Sequence, residues 1–537
     1  MELVVNLAAT WWTLIPIGLT VAWVLVSKKI VQSMVLGIVA AALMVANFNV
    51  FDTVILLERT VTGILFAPGE TALFGVFSRW YLSIIVFLLG LGIVTTFAVI
   101  TGSAQAFVNS LAQRVKTRRG VQLITVITGI VLMIDDYFNA MVNGGIAKNL
   151  GDRHRISRAK FSYIVDSIAA PICIIAPVSS WAVAIMGNMS TTYASIGQAH
   201  RNAFMDFIHM IGYNFYVFAA MGLVLVTIGF DFNIFGMTSY EAEVMAGKPD
   251  RSIAEGESDL LAGMQSKQGT VWDFWMPIVV LTAATVLTLF FTGFQRATPE
   301  AIAADGLVYA ILDNWSLSMS LLMGGVTATV AALHVGKKHV NLGEITPQQF
   351  NRTLWLGLTS MAQAILILVL SWTIGALIGH LEVGRLVADS LGNAGIYGGF
   401  LPLIMFVAAA FLAFSIGTSW GTFALVLPIA GVAAYQIDLN LLLPAMSAVL
   451  SGAVWGDHAS PISDTTVLAA AGTSCDVVTH FRTQLPYALI AAGIAMVSYL
   501  VFGLTGNLFM GYIGFGLSLG GVAALAAVRR RRVNLTH

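Results

Sequence analysis

Long apolar runs separated by short polar stretches fill the whole 537-residue chain. The runs fall at about 11–27, 30–47, 81–100, 161–188, 209–229, 274–293, 315–335, 353–378, 440–456, 485–503 and 507–528. An α-helix needs ~20 apolar residues to cross the hydrocarbon of a bilayer, so the pattern predicts about eleven transmembrane helices. Two further apolar stretches, 120–148 and 399–436, are interrupted near their middles by "DDYFN" (135–139) and "GTSWGT" (417–422). Each half reads as too short to cross alone. Both stretches are therefore predicted to be re-entrant hairpins that enter and leave on one side.

Composition agrees with a chain mostly immersed in lipid. Of its residues 58% are hydrophobic and 10% charged, with mean hydropathy +0.85; soluble domains carry about 25% charged residues. The formal net charge is zero, which offers nothing to nucleic acid. Cys173 and Cys475, the two cysteines, suggest neither a disulfide framework nor a CxxC metal site. Residues 1–27 lack a basic start and a clear small-residue cleavage site, and read as a first span rather than a removed signal peptide.

Lys and Arg positions set the orientation, because cytoplasmic loops are enriched in them. If both interrupted stretches are hairpins, one side receives Lys28 and Lys29; Arg114, Lys116, Arg118 and Arg119; Lys148, Arg153, Arg155, Arg158 and Lys160; Lys248, Arg251 and Lys267; Lys337, Lys338 and Arg352; Arg482; and Arg529 to Arg532. The other receives only Arg59, Arg79, Arg201, Arg296 and Arg385. A single crossing by 120–148 would put the basic loops 114–119 and 148–160 on opposite sides. The bias predicts a multi-pass protein of the cell (inner) membrane, with the C-terminus cytoplasmic and the N-terminus outside.

The layout then repeats. Three spans, a hairpin, a span with a polar break and one more span fill residues 1–235, with the hairpin at about 120–148 and the broken helix at about 161–188. The same order fills 273–503, with the hairpin at about 399–436 and the broken helix at about 440–472. The first copy starts outside and the second inside, which predicts an inverted-topology repeat, a layout that many secondary transporters share. Residues 236–272 read as a polar cytoplasmic linker, and 504–537 as an extra C-terminal helix with a basic tail. The predicted fold class is an all-α polytopic membrane protein.

Ionisable groups inside the apolar stretches carry the chemistry. A central Asp costs about 2.5–3.5 kcal/mol on insertion scales. The chain places Asp135 and Asp136 at the first hairpin break, Asp166 in "DSIAAP" (166–171), and Asp457 and Asp464 in "GDHASPISDTT" (456–466). No Lys or Arg lies within these stretches to pair with them, and carboxylates without cationic partners favour a bound cation or a proton. In both broken spans an Asp precedes a proline by four or five residues. Proline opens the helix and frees carbonyl oxygens. With Ser167, Ser460, Ser463, Thr465 and Thr466 this makes an oxygen-rich pocket suited to Na+, with Asp136, Asp166, Asp457 and Asp464 as its metal ligands. Thr418 and Ser419 at the second hairpin tip are binding candidates in the matching place. Blander readings stand beside these. Asp166 alone could bond only to a neighbouring helix. Adjacent Asp135 and Asp136 face about 100° apart on a helix, so one of them could cap the returning helix. His458 reads as a hydrogen-bonded neighbour rather than a metal ligand. Ser179 and Ser180 could bond back within their helix, and "GTSWGT" could be only a glycine packing site. Trp181 and Trp420 could line a cavity, whereas Trp11, Trp12 and Trp80 read as interfacial anchors.

The chain lacks G-x-x-x-x-G-K-[ST] and HExxH, a potassium-type filter segment and any clear nucleophile–base pair. It reads as a transporter, not an enzyme, and needs no cofactor beyond Na+ and H+ as transported or coupling ions. A channel is the remote alternative.

The motifs "LMIDDYFNAMVNG" (132–144), "ISRAKFSYIVDSIAAPICIIAPVSSWA" (156–182), "GDHASPISDTTVLAA" (456–470) and "HFRTQLPYA" (480–488) resemble the NhaC family of Na+/H+ antiporters, grouped in the ion transporter superfamily. The resemblance implies an elevator-type fold, a homodimer, and sodium or proton coupling. It places Asp136, Asn139, Asp166, Asp457, Ser460, Ser463, Asp464 and Thr465 in the central site. It leaves the solute open: Na+/H+ exchange, organic-acid exchange such as malate for lactate, and uptake of a small amino acid all occur in such a family.

Overall fold

The computed structural model describes residues 7–536 apart from 28, 67–71, 74–76, 113–115, 255–267, 300–301, 303–306, 308–310 and 312–314. The predicted basic positions Lys28, Arg114 and Lys267, and much of the 236–272 linker, thus lie outside the described residues. The described elements are helical except for one short antiparallel pair, β1 (Ala72–Leu73) with β2 (Phe77–Ser78). The first helices are α1 (Ile15–Ser27), α2 (Ile30–Val45), α3 (Val50–Leu65), α4 (Arg79–Ile100), α5 (Ser103–Ala112), α6 (Arg118–Val131), α7 (Asp136–His154), α8 (Arg158–Ile175) and α9 (Ser180–Ser195). There follow α10 (Ala203–Ile211), α11 (Phe215–Phe230), α12 (Gly236–Met245), α13 (Val271–Arg296), α14 (Leu317–Asn341), α15 (Pro347–Ser360), α16 (Ala362–His380) and α17 (Val383–Asn393). The last are α18 (Leu401–Ile416), α19 (Ser419–Ile437), α20 (Leu442–His458), α21 (Asp464–Thr473), α22 (Val477–Thr505) and α23 (Leu508–Thr536).

Among the described residues nine helices are long and apolar enough to cross a membrane, or up to twelve if each of three bent pairs is one span. This is a multi-pass membrane protein. The structure corrects two sequence expectations. α18 (with its preceding turn) and α19 are each long enough to cross, so length does not mark 399–436 as too short to span: the apolar run continues unbroken on both sides of the tip. The run at 30–47 does not stand alone; after α2 the chain bends by 119° into α3, turning through Asn47 and Phe48 at positive φ. Within the segment after 235, α12 and the residues up to Ser252 are hydrogen-bonded to the rest of their unit, as detailed below.

The chain divides into two compact units. Unit 2 (Arg59–Leu111 and Ser258–Val369) is built on α4. A Cβ on Gly90 would lie 2.6 Å from the Gly325 carbonyl oxygen, and one on Gly92 2.3 Å from that of Gly357. α14 and α15 therefore meet α4 backbone to backbone, the close approach by which helices associate in lipid.

Unit 1 (Met1–Glu58, Ala112–Glu257 and Leu370–His537) contains both hairpins and both broken helices. α6 and α7 run antiparallel: the Asn139 amide donates to Gly129 O (2.7 Å) and the Asn143 amide to Thr125 O (3.0 Å), so four residues forward on α7 are four back on α6. α6 runs parallel to α8, since Gly129 abuts Ile168 and Glu241 joins Arg118 to the Ser157 backbone N–H. The second hairpin repeats this arrangement. α20 lies parallel to α18, with Gly452 against Phe406 and Gly456 against Ala410. α19 runs antiparallel to α20, with Ser419 at Asp457 and Gly431 at Met446. Hence α18 and α19 are antiparallel. Gly417 ends α18 at φ +77, a conformation that favours glycine.

Candidate functional site

Four helix N-termini meet in unit 1, and they are the four that follow the polar interruptions. α7 and α9 touch where Ser180 donates through its N–H to Ile134 O (2.9 Å) and through its hydroxyl to Asp135 Oδ2 (3.0 Å). α9 and α19 touch through Trp181 and Trp420, whose rings are edge-on at 5.5 Å. α19 reaches the second break where the Ser419 hydroxyl donates to Asp457 Oδ2 (2.5 Å), whose other oxygen accepts from Ser463. α21 returns to α7 through Tyr137, which donates to Asp464. The ring is closed. Each helix N-terminus carries a partial positive charge of roughly half a unit, which favours carboxylates at the centre, where among the described residues only His480 approaches one of them, Asp166.

The local sequence explains each start. Asp135 is the N-cap of α7 and accepts from Phe138 N–H at 3.0 Å. Ser179 caps α9 and also donates to Cys173 O at 2.7 Å. Ser463 caps α21. Thr418 stands at the N-cap of α19 without a side-chain cap bond. The breaks are thus polar because helices begin there.

The predicted aspartates divide into different settings. Asp135 is the capping residue. Asp136, fully buried, has neither oxygen bonded among the described residues; the Trp181 indole approaches it outside hydrogen-bond geometry. Asp166 accepts from Gln484 Nε2 (2.5 Å) and Thr466 Oγ1 (3.4 Å) and lies 3.2 Å from His480 Nε2, while its Oδ1 has no partner. Thr465 bonds to Ser463 (3.0 Å). Ser460 is buried with its hydroxyl unpartnered. Asn139 is committed through its amide to the hairpin, yet its Oδ1 is buried and free. Ser167 is buried on α8. His458 bonds Tyr216 at 3.0 Å through Nδ1. Among the described residues no three His, Cys, Asp or Glu side chains gather as a metal-holding group. Asp136, Asp166, Asp457 and Asp464 thus do not gather as one carboxylate cage.

Sequence reasoning missed Tyr137, His480 and Gln484. The last two are four residues apart on α22 and so share a helical face, a signal that was readable.

Comparison with known proteins decides the family. A family model described as "Na+/H+ antiporter family" matches residues 172–504. The chain belongs to the Na+/H+ antiporter family. A protein of Haemophilus influenzae without an assigned role is 34% identical over 99% of this chain and 98% of its own length. The malate-2H+/Na+-lactate antiporter of Bacillus subtilis is 34% identical over 37% of this chain and 40% of its own. Among solved structures, the YdaH transporter of Alcanivorax borkumensis covers 87% of this chain and 90% of its own, with TM-score 0.53 and 15% identity, a likeness of fold. This family member is accordingly a transporter, and Na+ and H+ are the ions that its family name implies.

Proposed function

We propose that this protein is a sodium-coupled secondary transporter that exchanges Na+ for H+ at the junction of the four helix starts. The observation that carries the reading is Asp136, buried with both carboxylate oxygens unpartnered and no cationic side chain paired to it among the described residues. A buried charge in that state calls for a cation or a proton. Na+ takes oxygens from Asp136, Asp166, Asp457 and Asp464 together with Ser460, Ser463, Thr465, Asn139 and freed carbonyls. When it leaves, a proton neutralises the vacated carboxylate, so the two ions compete and exchange follows.

The architecture supports alternating access. Each hairpin runs its first helix parallel to the first half of a broken helix, and this like order favours two inverted copies, 1–235 and 273–503, joined through 236–272. At 1.5 Å per residue α20 is about 25 Å long and α21 extends about 15 Å beyond the break. The Gly417 tip abuts Ile462 in that break, which favours re-entry part-way into the bilayer. On this reading the two hairpins and the two broken helices move as the transport body in an elevator cycle, in a homodimer of the inner membrane with the C-terminus cytoplasmic.

A second reading has one observation of its own. The indole N–H of Trp420 is buried and unpartnered among the described residues at the start of α19, and would suit the carboxylate of a small organic or amino acid exchanged with Na+. Reconstituted protein separates the two. For Na+/H+ exchange, a sodium gradient alone moves the luminal pH of proteoliposomes, Asp464→Asn abolishes the signal, and the apparent KM for Na+ falls as pH rises. A pH trace that stays flat until a carboxylate solute is added would reject plain Na+/H+ exchange.

A further inference from the structure

Away from the acidic site, unit 1 contains a cavity of about 560 Å³ where α6 begins, where α11 ends and beside α23 at Ala526 to Arg530. Four arginines line it: Arg118, Arg119, Arg529 and Arg530. Two carboxylates, Asp231 and Glu241, also line it, and both are already committed. Glu241 takes Arg118 and the Ser157 N–H and lies 3.6 Å from Lys160 Nζ. Asp231 takes Lys160 at 2.9 Å. Burial opposes the Asp231 charge, but the Lys160 and Arg118 charges outweigh it and hold its carboxyl below the ordinary value. The other three guanidiniums stay uncompensated. Arg119 and Arg529 have no ion pair or hydrogen bond among the described residues, and Arg530 donates only to Gly229 O at 3.0 Å. On the same lining, Gln122 is buried with an unpartnered Oε1, an acceptor waiting for a hydroxyl.

The position says what fits. α23 is long and apolar enough to cross the membrane, and only 11% of its apolar run is buried inside the protein; one face packs on α11 and α22, where Leu519 meets Gly222 and Gly514 meets Val501, and the rest is open to lipid. Arg529 and Arg530 stand where that apolar run ends. The cavity therefore lies at interfacial depth beside a lipid-facing helix, and α12 supplies Thr238 and Met245 to its wall. Guanidinium forks match phosphate oxygens two at a time, and basic pockets between membrane helices receive acidic headgroups.

We propose that this cavity binds the headgroup of an anionic phospholipid bearing free hydroxyls, such as phosphatidylglycerol. Its phosphate is held by Arg119, Arg529 and Arg530, a headgroup hydroxyl donates to Gln122 Oε1, and the acyl chains lie along α23. The site is independent of the ion transported. Seating a lipid there ties the C-terminal helix to the base of the first hairpin.

The test uses the full chain purified in neutral detergent. Native mass spectrometry and thermal unfolding are followed with phosphatidylglycerol, with phosphatidylcholine and with soluble glycerol phosphate. Retained adducts and a raised Tm are expected with phosphatidylglycerol alone. Arg119→Ala/Arg529→Ala, both at exposed positions, should weaken that binding at least tenfold while keeping the lipid-free Tm. Arg119→Lys/Arg529→Lys, which keeps the charges but loses the forks, should bind more tightly than the alanine pair and less tightly than the parent at the same lipid-free Tm, which guards against a folding artefact. Equal binding of phosphatidylcholine, equal binding of glycerol phosphate, or an Ala variant that binds like the parent each overturns the proposal.

Discussion

Two neighbouring aspartates show how much one peptide unit can change a role. Asp135 caps α7, and an N-cap replaced by alanine costs about 0.5–2 kcal/mol. Asp136, one residue on, bonds to no described residue. Asp135→Ala should therefore lower Tm, whereas Asp135→Asn, which still accepts from Phe138 N–H, should restore most of it. Asp136→Asn should leave Tm unchanged or raised, because it removes a buried charge, yet stop transport. Thermal unfolding and proteoliposome flux on the three variants check the division; a stable, active Asp136→Asn would remove that residue from the site. The buried aspartates were legible because a charge in an apolar run is costly and so has few explanations, a bound ion, a neighbouring helix or a helix cap, the last of which Asp135 fulfils. Tyr137, His480 and Gln484 were less so. Tyrosine is ordinary in a membrane helix, and the α22 pair lies near the helix start, where polar residues are common.

At the scale of elements, small residues and one buried carboxylate set how helices meet. A Cβ on Gly452 would lie 2.3 Å from Phe406 O and 2.9 Å from Ala410 N. These are backbone atoms, so no rotamer change relieves the clash. Gly452→Ala should cost at least the 1–3 kcal/mol typical of overpacking and lower Tm, with α18 and α20 forced apart; an unchanged Tm would mean the pair is looser than described. Glu241 on α12 does the corresponding work beyond the helix bundle. Fully buried, it faces Arg118, Lys160 and the start of α8, and Asp250 and Ser252 bond to the next two N–H groups there at 2.7 and 3.1 Å. Losing one partner of a buried ion pair costs about 3–5 kcal/mol, so Glu241→Gln should destabilise markedly. Glu243→Gln, in an exposed pair with Arg251, should not, and unfolding of both variants in parallel provides the comparison. The spans were legible from hydropathy and the breaks from their prolines and aspartates. α12 was not, because a polar mixed-charge sequence looks the same whether it floats or docks, and the partners of Glu241 (Arg118, Lys160 and the Ser157 N–H) lie far from it in sequence.

For the whole molecule the deciding property is sidedness. The charge bias requires that both ends of each hairpin face the same side, and opposite sides for the two hairpins. The antiparallel helices of each hairpin satisfy the first condition, whether the tip stops part-way or passes through. The ends are exposed at Lys116 and Arg155 for α6–α7, and at Tyr397 and Asp438 for α18–α19. Single cysteines at these four positions, in a background with the buried Cys173 and Cys475 replaced by alanine, should report it with a membrane-impermeant maleimide on whole cells. Cysteines at 397 and 438 should label from outside, and those at 116 and 155 only after the membrane is opened. If the two ends of one hairpin label from opposite sides, that stretch crosses once and the inverted repeat fails with it. A fifth cysteine at Thr418, at the tip, carries the argument to motion. In an alternating-access cycle its labelling should change when Na+ is added, and the change should vanish in Asp464→Asn, because the ion can bias the equilibrium only through the difference in its binding to the two states.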